Sequence, residues 1–426
     1  MKALSRRSFI KTTAAAASLA TVRRAPARTS GSKIRVGILG CRNRGWQLAW
    51  AFHNNGAFEI VTLCDCDRAM YDEAMKHLDK TLPAAPRFEQ DFRRVLEDKS
   101  IDAIAIATPD HWHAAMTVMA LKAGKHVYVE KPFSYNIADG KAMLAAVEKH
   151  PDLVLQVGTQ HRSCDHIREA GEFVRAGNIG KVGMVRCWFT ADRAVIPKVP
   201  DGEPPAGFDY DLWVGPAPMR PFNAPKVHYN WHFMRDLGTG DMGNWGAHWL
   251  DSARQMLELD VPTAVSAMSG RVIDDAKEWP DTATILYEFP NLHILWELRQ
   301  WTTHGPNERF GGVEINGDKG TVIMDRDGWW FHPRGSKKGQ GVVAHKATPM
   351  EEPHVENFAQ CIAGKAKPNA PAAEGFRSAV LCHLGNIASV LNRRIEFDPA
   401  TMSIKGDSQA QAMESREYRP PWTLEV

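Results

Sequence analysis

The sequence lacks an excess of charge of either sign, a long apolar run and a regular cysteine pattern. Its 426 residues include 52 basic and 50 acidic side chains, a formal net charge of +2, and this balance gives no broad positive surface for nucleic acid or an anionic membrane. The apolar stretch 12–22 is shorter than the roughly 20 residues of a membrane-spanning helix, so we predict no membrane span. The seven cysteines have no metal-site spacing, and we expect buried thiols rather than disulfides.

The composition is that of a globular protein, and it includes many tryptophans. Hydrophobic residues make up 44% of the chain and charged residues 24%, which is enough for two domains with cores of their own. Ten of the fourteen tryptophans lie between Trp188 and Trp330. Because flat aromatic rings cover the apolar faces of sugars, this concentration favours a carbohydrate site. Packing in the core is the alternative for any single tryptophan.

The N terminus has the pattern of a twin-arginine export signal. Ser5-Arg6-Arg7-Ser8-Phe9 precedes an alanine-rich run, and Ala25-Pro26-Ala27 offers small residues for cleavage. We therefore assign residues 1–30 to a signal peptide and exclude them from the fold. The twin-arginine machinery moves folded proteins, so we expect it as a partner, a periplasmic or other extracytoplasmic location, and a tightly bound cofactor loaded before export. A chance arginine pair and an uncleaved anchor are the alternatives.

Over residues 31–157 short apolar runs alternate with amphipathic segments, which is typical of βαβ units and a parallel sheet. We predict an α/β fold here, a doubly wound Rossmann domain that binds a dinucleotide. Its predicted strands cover residues 34–39, 60–63, 101–107, 127–129 and 153–157, and its predicted helices cover 46–52, 69–78, 114–123 and 141–148.

The pattern changes after Gly158. We predict an α+β domain over residues 158–350, for substrate and for oligomerisation, built on a large, mostly antiparallel open sheet. Helices and a tail over residues 351–426 are predicted to pack back on the Rossmann domain. The predicted strands cover residues 182–189, 282–289, 293–298, 312–315 and 321–324, and the helices cover 165–176, 354–363 and 375–391. The Pro- and Gly-rich stretch 201–225 is predicted to be a long surface loop.

A phosphate-binding loop follows the first predicted strand. Its sequence Gly40-Cys41-Arg42-Asn43-Arg44-Gly45 is GxGxxG with an arginine in place of the middle glycine. The first glycine allows a tight turn, the last allows close helix packing, and the helix N terminus faces the pyrophosphate. Arg42 either binds phosphate or narrows the loop. Asp65 ends the second strand 20 residues after Gly45, where a carboxylate accepts hydrogen bonds from the adenosine ribose.

Two later strand ends bring polar residues to the crevice of the predicted sheet. They are Thr108-Pro109-Asp110-His111-Trp112-His113 and Glu130-Lys131-Pro132. His111 and His113 are not accompanied by further spaced ligands, so we predict no metal site. A lysine directly after a buried strand is desolvated enough to lose its proton near neutral pH, which makes Lys131 a candidate general base or acid. A surface ion pair with Glu130 is the alternative.

These motifs together resemble the Gfo/Idh/MocA oxidoreductases. The resemblance covers residues 33–426 and also includes Gln156-Val157-Gly158-Thr159-Gln160, Gly180-Lys181-Val182, residues 238–251 and Gly317-Asp318-Lys319-Gly320-Thr321. It implies a nicotinamide dinucleotide cofactor and a small-molecule carbohydrate substrate, and by analogy a homodimer or homotetramer. Asp65 favours NAD, whereas Arg68, three residues later, leaves NADP open.

The resemblance also implies which residues form the site. Lys131 would be the catalytic lysine and His248 its partner. Where the inositol-dehydrogenase-like pattern has an aspartate, this chain has Asn244, so support for His248 passes to Asp241 or Asp251. The implied cofactor contacts are Gly40, Arg42, Asn43, Arg44, Gly45, Asp65, Thr108, Pro109, His113, Glu130, Lys131 and Gln160, and the implied substrate contacts are Arg162, Trp231, His232, Asn244, Trp245 and His248.

Three functions fit these residues. The first is an exported oxidoreductase that transfers hydride between tightly bound NAD or NADP and a hydroxyl-bearing carbon of a sugar. The second is a redox-neutral glycosidase or lyase, in which transient oxidation of a ring carbon acidifies the neighbouring C–H and permits elimination. The third is a non-catalytic sugar-binding protein, which is disfavoured because both Lys131 and His248 are present.

Overall fold

Two sheets organise the computed structural model, which describes residues 32–337 and 342–426. One is a six-stranded sheet and the other a ten-stranded sheet, and both lie within the compact unit Lys33–Val426. The signal peptide predicted over residues 1–30 lies outside the described residues. Within the described residues, no helix is both long enough and apolar enough to span a bilayer.

The six-stranded sheet is the predicted Rossmann sheet. Its strands are all parallel, in the order β3-β2-β1-β4-β5-β6. The inner strands are apolar and buried on both faces, as a parallel sheet covered by helices requires. The strands are β1 (Ile34–Leu39), β2 (Phe58–Cys64), β3 (Arg87–Glu89), β4 (Ala103–Ile106), β5 (His126–Glu130) and β6 (Leu155–Gly158).

The helices of this half begin at polar caps or directly at the crevice. Asp67, Asp91 and Asn136 each accept a hydrogen bond from a backbone N–H of the first turn of α2, α3 and α5, which fixes where these helices start. The helices are α1 (Arg44–Asn55), α2 (Arg68–Leu78), α3 (Phe92–Glu97), α4 (His113–Lys122) and α5 (Ile137–Lys149).

The ten-stranded sheet is mostly antiparallel, as predicted, with one parallel pair between β7 and β10. Its order is β14-β13-β12-β11-β7-β10-β9-β8-β15-β16. Burial alternates along β9 and β10, so one face is covered and the other is open. The strands are β7 (Val182–Thr190), β8 (Ala264–Gly270), β9 (Thr282–Glu288), β10 (His293–Arg299), β11 (Gly311–Gly317), β12 (Gly320–Asp325), β13 (Gly328–Pro333), β14 (Val342–Lys346), β15 (Ile395–Asp398) and β16 (Ser403–Lys405).

Helices cover one face of this sheet and join it to the Rossmann half. Helix α8 packs on β7 and β11, α6 on β12 and β13, and α10 on β8 and β9, while α10 also packs against α5 and α9 against α1. Helix α10 is therefore buried along most of its length. The remaining helices are α6 (Asp165–Arg175), α7 (Tyr210–Val214), α8 (Ala247–Leu257), α9 (Glu351–Ile362), α10 (Ala372–Leu391) and α11 (Ser408–Gln411).

Residues 191–237, which we call the covering segment, correct the prediction of a plain surface loop over 201–225. The segment contains α7 and has an apolar cluster of its own, with Phe208, Trp213 and Phe222 buried in it. It docks on the Rossmann half through the backbone, since Asp209 N donates to Cys66 O at 2.8 Å. The internal cluster holds this long connection in one conformation over the carboxyl ends of the parallel strands.

All seven cysteines are free thiols, as predicted, and six of them are buried. The C-terminal tail also ends in an apolar contact, where the Trp422 ring lies 4.7 Å from Trp112 and 6.0 Å from Phe92. The tail is thereby attached to the Rossmann half beside the covering segment.

Candidate active site

One cavity runs along the carboxyl ends of the parallel strands and under the covering segment. It brings together most of the residues that the sequence analysis assigned to cofactor and substrate. The predicted residues that line it are Gly40, Arg42, Asn43, Arg44, Asp65, Thr108, Pro109, Glu130, Lys131, Gln160, Trp231, His232, Asn244, Trp245 and His248. Gly45, His113 and Arg162 do not line it.

The glycine loop has the shape that a pyrophosphate needs. Gly40 has φ +85°, and a Cβ there would lie 2.7 Å from Ala107 O, whereas a Cβ on Gly45 would lie 1.8 Å from Gly40 O. Both glycines are therefore required by the close approach of α1, β1 and β4. The N terminus of α1 has no side-chain cap, which leaves it suited to an anion. Gly45 acts through this packing rather than by direct contact with the cavity.

Asp65 lies at the end of β2 and supports the same loop. Its Oδ2 accepts from Cys41 N at 2.8 Å and its Oδ1 from Asp67 N at 3.0 Å. Burial raises the pKa of Asp65 to about 6, against these two hydrogen bonds. Above that pH a carboxylate faces the cavity, where it suits the ribose hydroxyls of a dinucleotide.

Arg42 reaches from the loop to the covering segment. Its Nη1 donates to His228 O at 3.1 Å, and its guanidinium lies 5.9 Å from the centre of the Tyr229 ring. His228 in turn pairs with Asp67 at 2.9 Å. Arg42 thus joins the two sides of the cleft at the phosphate-binding end. The exposed Arg68 points away from the cavity, with its guanidinium over Tyr71 and Phe88.

Lys131 follows β5 directly and points toward the second domain. Its Nζ donates to Asn244 Oδ1 at 2.7 Å and to Asn244 O at 2.9 Å. Burial lowers the pKa of Lys131 to about 8, even though Glu130 and Asp110 oppose the shift. A neutral partner amide fits this shift, because an aspartate at position 244 would hold the lysine protonated.

Asn244 is placed by an unusual local turn. Residues Met242–Gly246 form a π-helical turn before α8, a feature that often occurs at functional sites. A Cβ on Gly243 would lie 1.7 Å from Thr239 Oγ1 and 3.1 Å from Pro132 Cγ. This glycine therefore lets the turn approach the Lys131-Pro132 segment closely enough for the hydrogen bonds to Asn244.

His248 lies one turn further, at the start of α8. Its Nδ1 is buried and has no hydrogen-bond partner among the described residues. Burial, followed by the charge of Lys131, holds the pKa of His248 well below its ordinary value, so the ring is neutral. The predicted support from Asp251 is wrong, because both Asp251 oxygens are used by Arg162 and Ser378.

Asp241, the other predicted support, does not act on His248 directly. Its carboxylate pairs with Arg193 at 2.8 Å and accepts from Asn244 Nδ2 at 3.2 Å. Asp241 thus orients the amide so that its oxygen faces Lys131 and its nitrogen faces the acid. Asp241 and Lys131 are thus linked through the Asn244 amide.

An ion-pair network closes the side of the cavity near β6. Arg44 donates to Glu130 Oε1 at 2.5 Å and makes a two-pronged pair with Glu351 at 2.8 and 2.9 Å. Burial by itself raises the pKa of Glu351, but the positive charge of Arg44 outweighs this effect and lowers the pKa below its ordinary value. Gln160 Nε2 donates to Glu351 at 3.2 Å, and its buried Oε1 has no partner among the described residues. Glu130 fits beside Gly158, where any Cβ would lie 2.8 Å from its carboxyl group.

Aromatic rings form the wall that the second domain contributes. The Trp231 and His232 rings stack 3.6 Å apart, and the Trp245 ring stacks on Phe189 at 4.6 Å. Burial lowers the pKa of His232 to about 3, so its imidazole is neutral. This wall offers flat apolar surface and neutral polar atoms, which suits a sugar.

The histidines after β4 hold the backbone together. His113 contacts Pro132 O at 2.7 Å and Thr108 O at 3.1 Å, and His111 contacts Leu237 O and Trp213 O, both at 3.0 Å. The predicted direct contact of His113 with the cofactor is therefore corrected to a role behind the cavity wall. Among the described residues, no group of three or more His, Cys, Asp or Glu side chains is placed to hold a metal ion.

Arg162 is also corrected, from substrate contact to structural ion pair. Its guanidinium holds Asp251 through three hydrogen bonds of 2.7 to 2.9 Å and also reaches Glu374 at 3.3 Å. The Asp251 side chain is 0% exposed. Arg162 points between α8 and α10, where it neutralises this buried carboxylate.

Several lining residues were missed by the sequence analysis. Tyr229 and His228 come from the covering segment and Arg326 from the turn between β12 and β13. Glu351, at the start of α9, does not line the cavity itself but holds Arg44, which does. An acid three residues before the predicted helix 354–363 was a weak signal for Glu351. The motif at residues 317–321 precedes Arg326 closely in the chain, but it gave no sign that an arginine five residues later would reach the cavity.

The fold and the cavity define the class of protein. A parallel sheet with a glycine loop, an acid at the end of β2 and a half-buried lysine directly after β5 forms a dinucleotide-binding domain, and a second domain closes over it. Residues 34–159 match the Gfo/Idh/MocA family described as "Oxidoreductase family, NAD-binding Rossmann fold", and residues 188–290 and 318–424 match its C-terminal alpha/beta domain. These matches cover well over half of the chain, which belongs to the Gfo/Idh/MocA oxidoreductase family and has its NAD-binding domain.

Relatives within the family include enzymes that act on sugars. A glycosyl hydrolase family 109 protein of Stenotrophomonas maltophilia is 29% identical over 228 residues, which are 51% of this chain and 48% of that protein. Levoglucosan dehydrogenase of Pseudarthrobacter phenanthrenivorans is 27% identical over 168 residues, 39% of this chain and 36% of that protein. The chain thus matches about half or less of the length of these two curated relatives.

The similarity to solved structures extends over more of the chain than the similarity to the curated sequences does. A levoglucosan dehydrogenase in complex with NADH and levoglucosan superposes with a TM-score of 0.66, covering 86% of this chain and 100% of that one. Sequence identity over this superposition is 18%. The agreement therefore extends to the arrangement of both domains.

Replacement of Asp65 by alanine tests the adenosine end of the site. We expect NAD to bind about 10- to 100-fold more weakly, because the variant loses a charged acceptor for the ribose hydroxyls and the support of Cys41 N. Discrimination against NADP should also fall, since a carboxylate no longer repels the 2′-phosphate. Equilibrium binding of both dinucleotides measures this, and a wild-type preference for NADP would instead assign the ribose contact to Arg42.

Proposed function

We propose that this protein oxidises a hydroxyl group of a sugar or sugar derivative, or reduces the corresponding carbonyl, with a tightly held nicotinamide dinucleotide. The observation that carries the proposal is the position of Lys131. Its side chain is half-buried and lies at the junction of the dinucleotide domain and the aromatic wall, and its amine is hydrogen-bonded to a neutral amide. Its lowered pKa suits general acid–base catalysis near neutral pH.

Different residues along the cavity have different roles in this proposal. Gly40 and the N terminus of α1 would hold the pyrophosphate of the dinucleotide, and Asp65 would hold its adenosine ribose. When bound, the nicotinamide ring supplies the acceptor or donor of hydride. Lys131, as the neutral amine, accepts the proton of the substrate hydroxyl, and in the opposite direction its ammonium returns that proton. His248 is neutral and serves as a hydrogen-bond partner that orients the sugar beside Lys131.

A redox-neutral glycosidase is the second candidate. It is favoured by the neutral imidazoles of His232 and His248 in the same cavity as Lys131, because elimination needs a further group to remove the acidified C–H proton. The similarity to a glycosyl hydrolase family 109 protein supports the same candidate.

The two functions can be distinguished by following the hydride that passes to the dinucleotide and the proton that leaves the neighbouring carbon. The purified protein is incubated with a panel of glycosides and polyols without added acceptor, and product, dinucleotide redox state and solvent deuterium incorporation are measured. A dehydrogenase stops after one equivalent of product per bound dinucleotide. Many turnovers on a glycoside alone, with deuterium entering the carbon beside the oxidised one, would establish the glycosidase instead. A protein that contains no nicotinamide dinucleotide and binds none overturns both.

The pH dependence of the oxidation follows from Lys131. Because burial lowers its pKa to about 8, the base form is a minority at pH 7 and the main form above pH 8. We expect kcat/KM for sugar oxidation to rise with pH and level off above about 8. The reduction of the carbonyl should fall over the same interval, since it needs the ammonium.

Asn244→Asp provides the matched variant for this profile. A carboxylate at this position lies next to the Lys131 ammonium and stabilises it, so the midpoint of the oxidation profile should move to higher pH. An unchanged midpoint in this variant would assign the titration to another group.

We also propose that the protein is exported in the folded state by the twin-arginine pathway, with its cofactor bound. Arg6→Lys combined with Arg7→Lys should leave the protein in the cytoplasm, which cell fractionation and detection of the uncleaved chain measure. The control is Arg23→Lys with Arg24→Lys, which changes the same residue type outside the signal motif. Unchanged export of the first pair contradicts the assignment.

A further inference from the structure

Arg326 is a cation of the cavity that has no acidic partner within the part of the chain that the structure describes. It lies in the turn between β12 and β13 and lines the cavity with Lys131, Trp245 and His248. Among the described residues, no carboxylate lies within ion-pair distance of its guanidinium, and its Nε donates a hydrogen bond to His161 Nε2 at 3.1 Å. Its other N–H groups have no acceptor among the described residues. This differs from Arg44, each of whose three guanidinium nitrogens donates to Glu130 or Glu351.

The neighbours of Arg326 hold it in place without neutralising it. His161 accepts the Nε–H, so its own proton is on Nδ1 and is donated to Ser252 Oγ at 2.9 Å, whose hydroxyl donates to His248 O at 2.9 Å. Burial lowers the pKa of His161 well below its ordinary value, which keeps this ring neutral. The guanidinium also lies 5.0 Å from the centre of the Trp245 ring. Arg326 is therefore pre-positioned by neutral groups.

The surrounding charges make the position unfavourable for a lone cation. Burial and then the charge of Arg44 lower the pKa of Arg326. Glu351, the acid that contributes in the opposite direction, is engaged by Arg44. A partly buried guanidinium that faces a ligand cavity with free N–H groups is suited to a planar anion, which it binds through two parallel hydrogen bonds.

We propose that Arg326 recognises a carboxylate on the substrate, so that the preferred sugars are acidic ones of the uronic acid type. The inference rests on the proposed function and deepens it by naming the substrate class. The phosphates of the dinucleotide are the other source of anionic oxygen in this cavity. Arg326 belongs to the second domain, on the side of Trp245 and His248, which favours the substrate as the ligand.

The test uses the full-length protein with its dinucleotide bound and matched pairs of methyl glycosides. The pairs are methyl glucoside with methyl glucuronide and methyl galactoside with methyl galacturonide. Dissociation constants by calorimetry, dinucleotide reduction and dinucleotide content are measured for wild type, Arg326→Gln, Arg326→Lys and the control Arg334→Gln. Arg334 is an exposed arginine just after β13, outside the cavity, so its replacement removes the same charge without touching the site.

We expect wild type to bind at least one uronide about 10-fold or more tightly than its neutral partner. Arg326→Gln should lose this preference by about 10- to 100-fold, with dinucleotide content unchanged, and Arg326→Lys should recover only part of it. Arg334→Gln should behave as wild type.

Two results overturn this inference alone. One is that wild type oxidises neutral sugars and shows no preference for uronides, or that it prefers uronides and Arg326→Gln keeps the same preference. The other is loss of dinucleotide from Arg326→Gln with sugar preference intact, which would assign the arginine to the cofactor phosphates. A protein that binds and oxidises neither member of any pair contradicts the proposed function, and the inference with it.

Discussion

Replacement of Lys131 by alanine is expected to lower kcat by about 100-fold or more, the usual effect of losing a positioned acid–base group. The physical reason is that no other amine of the described residues shares the pair of hydrogen bonds to Asn244 at the junction of the two domains. Dinucleotide binding should change little, because Asp65 and the glycine loop are untouched. Steady-state rates and dinucleotide content of the purified variant measure the two effects separately.

Lys141→Ala is the matched control for this prediction. Lys141 is an exposed lysine on α5 of the same domain, so its loss should leave both the rate and the dinucleotide content unchanged. Partial recovery of the Lys131→Ala rate by added primary amines would support proton transfer as the missing step. Near-normal turnover of Lys131→Ala would contradict the assignment of Lys131 as the acid–base residue.

Replacement of Arg162 by methionine is expected to lower the free energy of unfolding by about 3–5 kcal/mol, because it leaves the Asp251 carboxylate buried without its counter-charge. Three hydrogen bonds of 2.7 to 2.9 Å join the two side chains, and Asp251 has no exposed surface. Denaturant unfolding of the dinucleotide-bound protein measures the change. The KM for the sugar should be unaffected in the folded variant, since Arg162 lies outside the cavity.

Two further variants give this prediction its controls. Arg168→Met removes an exposed arginine on α6 that pairs with Asp165 and Glu172, and we expect a change below about 1 kcal/mol. Arg162→Met combined with Asp251→Asn removes the stranded charge and should recover part of the lost stability. A large rise in KM for Arg162→Met at unchanged stability would restore the original assignment to substrate binding.

The Rossmann half was predictable because its signals are local. Buried parallel strands are continuous apolar runs, so β1, β2, β4, β5 and β6 were all anticipated, with ends that differ by a few residues. The one missed strand, β3, is only Arg87–Glu89 and lies at the sheet edge. A three-residue edge strand with charged ends has too little periodicity to be recognised.

The large sheet was predicted only in its centre. Strands β7, β9, β10, β11 and β12 are apolar and alternate, whereas the edge strands were missed. Strands β15 and β16 pair with this sheet after a long helical connection, and such long-range pairing leaves no mark in the local sequence. The covering segment was missed as a folded unit for the same reason, because its core forms between residues that are individually unpatterned.

The sequence by itself determined the family, the Rossmann half and the dinucleotide loop, and it predicted Lys131 and His248 as site residues, since each is carried by a contiguous motif at a strand or helix end. Only the tertiary structure shows which charged side chains of the described residues have an ion-pair partner. Arg162 pairs with Asp251, and Arg44 pairs with Glu130 and Glu351. Arg326 lines the cavity and has no ion-pair partner over residues 32–337 and 342–426. The pairing of a charge depends on which distant side chain comes within hydrogen-bond distance, and only packing of the complete chain sets that distance.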